Sequence, residues 1–112
     1  MHVEIETRGE VNIVRPDLDA IDASNAKELK RHLGELAPRH PRMVLDLEQV
    51  GFLDSSGLGA ILSVLRKVTA AGGDLKLCNV TPPVRALLEM VRLHRIVEIF
   101  EGLDDAVRSW DQ

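Results

Sequence analysis

From about Met43 to the C-terminus the hydrophobic pattern changes back and forth between two periods, and this alternation restricts the fold more than any other feature. Met43-Val44-Leu45-Asp46-Leu47 is a short, mostly apolar run, the pattern of a central strand buried on both faces. Leu58, Ile61, Leu62 and Leu65 then recur at helical steps. Leu75-Lys76-Leu77-Cys78 alternates as a strand does, and Val84, Leu87, Leu88 and Val91 return to the helical period. Ile96-Val97-Glu98-Ile99-Phe100 predicts a last short strand. Asp104 or Asp105 predicts the opening of a closing helix, in which Leu103, Ala106, Val107 and Trp110 share a face. Strands separated by helices imply parallel pairing with helical crossovers, so the chain is of the α/β class.

The first forty residues carry a different signal. Val3, Ile5 and Thr7 alternate with charged residues, Arg8-Gly9-Glu10 reads as a turn, and Val11-Asn12-Ile13-Val14-Arg15 is the returning strand of a hairpin. Pro16 interrupts the ladder, having no N–H to donate. Asp22, Ser24 or Asn25 can cap the helix whose apolar stripe is Ala26, Leu29, Leu33 and Leu36, and Pro38 and Pro41 end it. Later punctuation agrees: Ala71-Gly72-Gly73 offers a left-handed helix end, and Thr81-Pro82 an N-cap followed by proline in the first turn.

Composition bounds the function. The 112 residues fit one domain, residues 1–112, without repeats or linkers rich in Gly or Ser. Aromatic residues are 3 % of the chain, so no platform exists for stacking single-stranded nucleic acid. The net charge of -4 argues against DNA, RNA or an anionic membrane surface as partner. A lone cysteine, Cys78, and an N-terminus without a signal-peptide pattern point to the cytoplasm. No apolar stretch approaches the ~18 residues of a membrane span. Cys78 reads as a small buried hydrophobe. His2, His32, His40 and His94 are scattered, so neither a metal nor a cofactor is expected.

Enzyme motifs fail one by one. Gly57-Leu58-Gly59 lacks the third glycine of a dinucleotide loop, which would fall at Leu62, and no Gly-Lys-Ser/Thr run is present. A nucleophile elbow needs glycine two places either side of the serine. Ser55 has Leu53 and Gly57 there, and Ser56 has Asp54 and Leu58. A small hydrolase using Ser55 with His94 or Asp54 therefore lacks both elbow and oxyanion loop, and the chain is expected to be no enzyme.

What remains is Asp54-Ser55-Ser56-Gly57-Leu58-Gly59, small, polar and flexible, at a strand-to-helix junction. Read as structure, Asp54 or Ser55 caps the helix and the glycines let backbones pass closely. Read as function, the same geometry exposes a serine at a helix N-terminus. A phosphate is tolerated there by free N–H groups and the helix dipole. Phosphorylation would add a charge of about -1.5 to -2 without unfolding the domain.

Phe52-Leu53-Asp54-Ser55-Ser56-Gly57-Leu58-Gly59-Ala60-Ile61-Leu62 resembles the phosphorylation-site segment of bacterial anti-sigma-factor antagonists, which are STAS-domain proteins. Val44-Leu45-Asp46-Leu47, Ala71-Gly72-Gly73-Asp74-Leu75-Lys76-Leu77-Cys78-Asn79 and Val84-Arg85-Ala86-Leu87-Leu88 resemble the family's flanking strands and helices, in order. The resemblance covers about residues 43 to 107. It implies the STAS fold, a mixed sheet of four to five strands with about four helices against it. It also implies partner switching in transcription regulation. The unphosphorylated protein binds a serine-kinase anti-sigma factor and frees the sigma factor. The kinase then phosphorylates Ser55, with Ser56 the lesser candidate, and the complex dissociates. A metal-dependent serine phosphatase restores the active form. Asp22, Asp54, Ser55, Ser56, Gly57 and Leu58 are the implied partner-binding residues. Two positions depart from the family: Ile21-Asp22 keeps only the end of a Gly-x-Leu-Asp run, and Arg92-Leu93-His94 lacks a frequent glycine. The alternative is a structural STAS subunit, for example of a lipid-transport complex, in which Ser55 is only a helix cap.

Overall fold

The computed structural model describes residues 1–111. A hairpin of β1 (Val3–Arg8) and β2 (Val11–Pro16) turns at Gly9, whose φ of 59° suits glycine. β4 (Arg42–Asp46), β6 (Asp74–Cys78) and β7 (Glu98–Phe100) extend the sheet in the order β1-β2-β4-β6-β7. Only the hairpin is antiparallel; β2–β4, β4–β6 and β6–β7 are parallel. A second, two-stranded parallel sheet joins β3 (Ala20–Ile21) to β5 (Phe52–Leu53). The helices are α1 (Ala26–Leu36), α2 (Ser55–Ala70), α3 (Pro82–Met90) and α4 (Leu103–Arg108). The mixed five-stranded sheet with four helices is the architecture expected.

Alternation along the strands sorts the core. Val14, Met43, Leu45, Leu75 and Leu77 point to one face, where they pack with Leu29 and Leu33 of α1, Ile61 and Val64 of α2 and Leu88 of α3. Val11, Ile13, Val44 and Cys78 point to the other, where Ala106 of α4 covers them with Leu103, Val107 and Trp110 at its margin. β4 is thus buried on both faces, and Cys78 is fully buried. Burial and then the nearby Asp46 carboxylate push the Cys78 thiol up to about 12, so it is the small hydrophobe expected.

Lys76 alternates like an outward residue yet is buried, because α4 and the turn after it lie over that face. Its ammonium donates to Ser109 Oγ, reaches Glu98 at 3.6 Å and sits 4.1 Å from the Trp110 ring centroid. The buried Asp46 carboxylate is also fully engaged. Arg15 Nε (3.1 Å) and Asn79 Nδ2 (3.2 Å) donate to it, as does the Glu48 N–H (3.1 Å).

Four local expectations need revision. The last strand does not begin at Ile96: a 3-10 turn at Leu93–Arg95 holds Ile96 and Val97 through their N–H groups to Leu93 O, and β7 starts at Glu98. Gly102, not Asp104 or Asp105, occupies the N-cap position of α4, and the two aspartates lie in its first turn. Thr81 sits at the N-cap of α3, but its hydroxyl donates to Val50 O at 2.7 Å and does no capping. Pro16 closes β2 opposite Val3 and leaves the hairpin ladder complete. The expected glycine end of α2 is present, with Gly72 at φ 90° and a Cβ on Gly73 excluded by the Pro41 carbonyl.

After α3 the chain turns through Arg92 at φ 61°, the left-handed position where the family's glycine was missed. An L-residue there is strained by roughly 1–2 kcal/mol. Arg92→Gly, which relieves the strain but frees the unfolded chain, should stabilise the fold by about 0.5–1 kcal/mol. The check is the urea midpoint at unchanged m-value.

Candidate functional site

The site is built where β3 and β5 end. Their parallel register sets Ile21 beside Leu53, so the chain leaves both strands at the same edge and enters α1 and α2 side by side. The segments around Asp22 and Ser55, more than thirty residues apart in sequence, are brought to one edge for this reason, with Ala23 and Asp54 in direct hydrogen bond.

Asp54 joins the two exits. It has extended backbone and is the N-cap of α2. One carboxylate oxygen accepts from the Gly57 N–H at 2.9 Å, which satisfies a free donor of the first turn. The other accepts from the Ala23 N–H at 3.0 Å, on the loop that leads into α1. The Asp54 N–H itself donates to Ile21 O at 3.3 Å. Of the two capping candidates in the sequence, Asp54 takes the role. Ser55 is the first residue of the helix proper, so it does not cap.

Gly57 is required by a close approach. A Cβ there would run into the Ile21 carbonyl, with the Leu53 side chain 3.2 Å away on another side. Gly59 has no such neighbour: a Cβ would meet nothing within 4 Å. The glycine-packing explanation therefore holds for Gly57 only.

Ser55 and Ser56 are both exposed, and neither hydroxyl is engaged by a protein group among the described residues. Ser55 lies at the open end of α2. Ser56 lines a groove between α1 and α2 with Lys27 and Lys30 opposite. Leu58 is half-buried against the core.

On the α1 side, Asp22 organises its own turn. Its Oδ1 accepts from the Ser24 hydroxyl at 2.6 Å and from the Ser24 N–H at 2.9 Å. The hydroxyl first, and then the N–H, hold the Asp22 carboxyl below its ordinary value, so it is ionised at this edge at neutral pH. Asn25 locks the turn from within: its Oδ1 accepts from the Asp22 N–H at 3.0 Å and its Nδ2 donates to Ala20 O at 2.9 Å. All six residues expected at the site, Asp22, Asp54, Ser55, Ser56, Gly57 and Leu58, fall at or just inside this one edge. Sequence reasoning missed the bond from Asp54 to Ala23 and the basic wall of Lys27 and Lys30. The lysines were visible as charges, but only the α1–α2 packing puts them across from Ser56.

A STAS-domain family model matches residues 2–106. The chain belongs to the STAS family. It is 33 % identical over 104 residues to the anti-sigma F factor antagonist of Paenibacillus polymyxa, covering 91 % of this chain and 88 % of the relative. Among solved structures, an anti-sigma factor antagonist from Mycobacterium paratuberculosis superposes with TM-score 0.87 at 24 % identity, over 99 % of this chain and 94 % of the other. The Bacillus cell-fate determinant SpoIIAA in its phosphorylated form superposes with TM-score 0.72 at 19 % identity, over 96 % and 98 %. At these identities the structural likenesses establish the fold. This STAS chain keeps the five-stranded sheet and the β5–α2 junction, and no helix among its described residues is long and apolar enough to cross a membrane.

The bonds at Asp54 give two expected outcomes. Asp54→Ala removes a cap and the tie to α1, and should cost about 1–2 kcal/mol in urea unfolding. Gly57→Ala forces α2 away from the Ile21 carbonyl and should cost about 1–3 kcal/mol. Gly59→Ala, placed in open space in the same helix, should be neutral or stabilising in the same measurement.

Proposed function

We propose that this protein is an anti-sigma-factor antagonist switched by phosphorylation of Ser55. In its unphosphorylated form it binds a serine-kinase anti-sigma factor through the edge formed by Asp22, Asp54, Ser55, Ser56, Gly57 and Leu58. That binding releases the sigma factor or another output protein held by the kinase. The kinase transfers the γ-phosphoryl group of ATP to the Ser55 hydroxyl, and the pair separates. A metal-dependent serine phosphatase returns the protein to its binding form. The cytoplasm, where ATP and sigma factors are found, is the place of action.

The observation that carries this reading is the division of labour between Asp54 and Ser55. Asp54 caps α2, so the Ser55 hydroxyl is exposed and committed to nothing. A phosphate on Ser55 would break no bond that holds the fold. It would meet the positive end of a 16-residue helix, which favours an anion. It would also add to the charge of the Asp54 and Asp22 carboxylates, and this crowding of like charge makes the phosphorylated edge far more anionic than the edge to which a partner of the unmodified serine is fitted. Burial of that charge against an unmatched partner costs a few kcal/mol, and every ~1.4 kcal/mol is tenfold in affinity. Relatives named as anti-sigma-factor antagonists, and the phosphorylated form of SpoIIAA among the structural neighbours, support the same reading.

The experiment is intact-mass and fragment mass spectrometry after incubation with ATP and cleared lysate of the host. One phosphate on Ser55, abolished in Ser55→Ala, is the expected result. Ser55→Asp should keep the native unfolding midpoint to within about 0.5 kcal/mol. It should weaken binding to the captured kinase by about a hundredfold. A phosphate confined to Ser56, or none in a lysate that phosphorylates a control antagonist, would overturn the assignment.

A further inference from the structure

The chain has four lysines, and their placement is uneven. Lys76 is buried under α4, and the other three, Lys27, Lys30 and Lys67, are exposed along one groove between α1 and α2. The chamber nearest the phosphoacceptor has a volume of about 360 Å³. Lys27 and Lys30 line it from α1 and Ser56 from α2, with Gly59 and three alanines completing the lining. The groove continues past Lys67 toward Arg31, and its lining there holds one carboxylate, Glu28, among four cations.

Lys67 lies in the last turn of α2, where a cation suits the helix dipole, but the fold gains nothing from Lys27 and Lys30. Lys27 is the second residue of α1, at the positive end of the helix dipole, where a cation is disfavoured. Lys27 and Lys30 are spaced i,i+3, and Lys27 and Arg31 i,i+4, both repulsive arrangements on a helix. Arg31 is paired with Glu35 at 3.2 Å, but Lys27, Lys30 and Lys67 have no carboxylate within ion-pair distance among the described residues. Two helix glycines bear on these residues, Gly59 in the lining of the groove and Gly34 under the Lys67 side chain. Gly34 is where Lys67 crosses α1: a Cβ there would meet the Lys67 ammonium at 2.5 Å. Gly59 lacks any internal neighbour that would require it. A chain of net charge -4 has thus gathered its free ammonium groups, at some cost to α1, along a groove lined by Ser56, the chain neighbour of Ser55.

We propose that this groove is the docking channel for a carboxylate-rich surface of the kinase that modifies Ser55. The inference rests on the phosphorylation switch proposed above and adds the chemistry of the partner. Oppositely charged surfaces speed encounter and set register, and the lysines would bring the kinase onto the edge that presents Ser55. The same charges explain release. A phosphate of charge about -1.5 to -2 on Ser55 lies within a Debye length of the groove mouth. It offsets the lysines and removes the attraction that brought the kinase in.

The test measures the initial rate of Ser55 phosphorylation by mass spectrometry, in the same lysate with ATP, for the wild-type protein and for K27E/K30E. R39E, a charge reversal beyond the other end of α1, serves as control. K27E/K30E should melt at or above the wild-type temperature, since it exchanges a cation for an anion in the first turn of α1 and removes the Lys27–Lys30 and Lys27–Arg31 repulsions. Its phosphorylation should be slower by about tenfold or more, with R39E near wild type. The gap should narrow as salt rises from about 0.05 to about 0.5 M, because screening removes steering. Should the reversed variant fold poorly, K27Q/K30Q replaces it, with a loss of about threefold expected. Equal rates for wild type and the groove variant, with Ser55 phosphorylated in both, would overturn the docking channel and leave the switch intact. Absence of phosphate from wild-type Ser55 would remove the switch and the channel together.

Discussion

Burial of β4 and β6 on both faces is the constraint from which the rest of the structure follows. A strand covered on both sides must have all its peptide groups paired, and here the neighbours are parallel. Parallel neighbours cannot be joined by a tight turn, so α1 and α2 are forced in as crossovers. Each crossover helix begins at the end of the sheet where its strand has just finished. The N-termini of α1 and α2 are therefore delivered to the same edge, and the short β3–β5 pair holds them in register. The surface made from residues around 22 and around 55 is a by-product of how the core is covered.

At that edge one carboxylate has two tasks. Asp54 satisfies the first turn of α2 with one oxygen and the entry to α1 with the other. Because the capping is done by Asp54, the adjacent serine is released from structural duty. A switch can then add or remove charge at Ser55 with the helix end already secured. Gly57 completes the arrangement, since only the absence of a side chain lets α2 approach the Ile21 carbonyl.

Charge is handled in two opposite ways. Inside, Asp46 and Lys76 are surrounded by donors, acceptors and rings matched to them, as burial of an ion demands. Outside, Lys27, Lys30 and Lys67 are left without carboxylate partners along the α1–α2 groove. Matched charge serves the fold. Of the three lysines without partners, only Lys27 stands against a helix dipole, whereas Lys67 in the last turn of α2 suits one.

The α/β class, the hairpin, the helical stripes and the cluster Asp54–Leu58 were all legible in the sequence, because hydrophobic period and turn chemistry are local properties. Ile96, Asp104 and Thr81 were misread for a common reason. Each has the local signature of its expected role, and each was reassigned by a partner distant in space or by a turn that a neighbouring segment imposes. Lys76 looked like the wet side of a strand until α4 covered it. The sequence by itself determined which segments are strands and helices, and that a serine would stand at the start of α2. Tertiary structure alone decided that Asp54 would be the cap shared with α1, that the segments around Asp22 and Ser55 would come to one edge, and that three lysines would face one groove. Those relations depend on strand register and helix packing across thirty or more residues, and no local pattern encodes them.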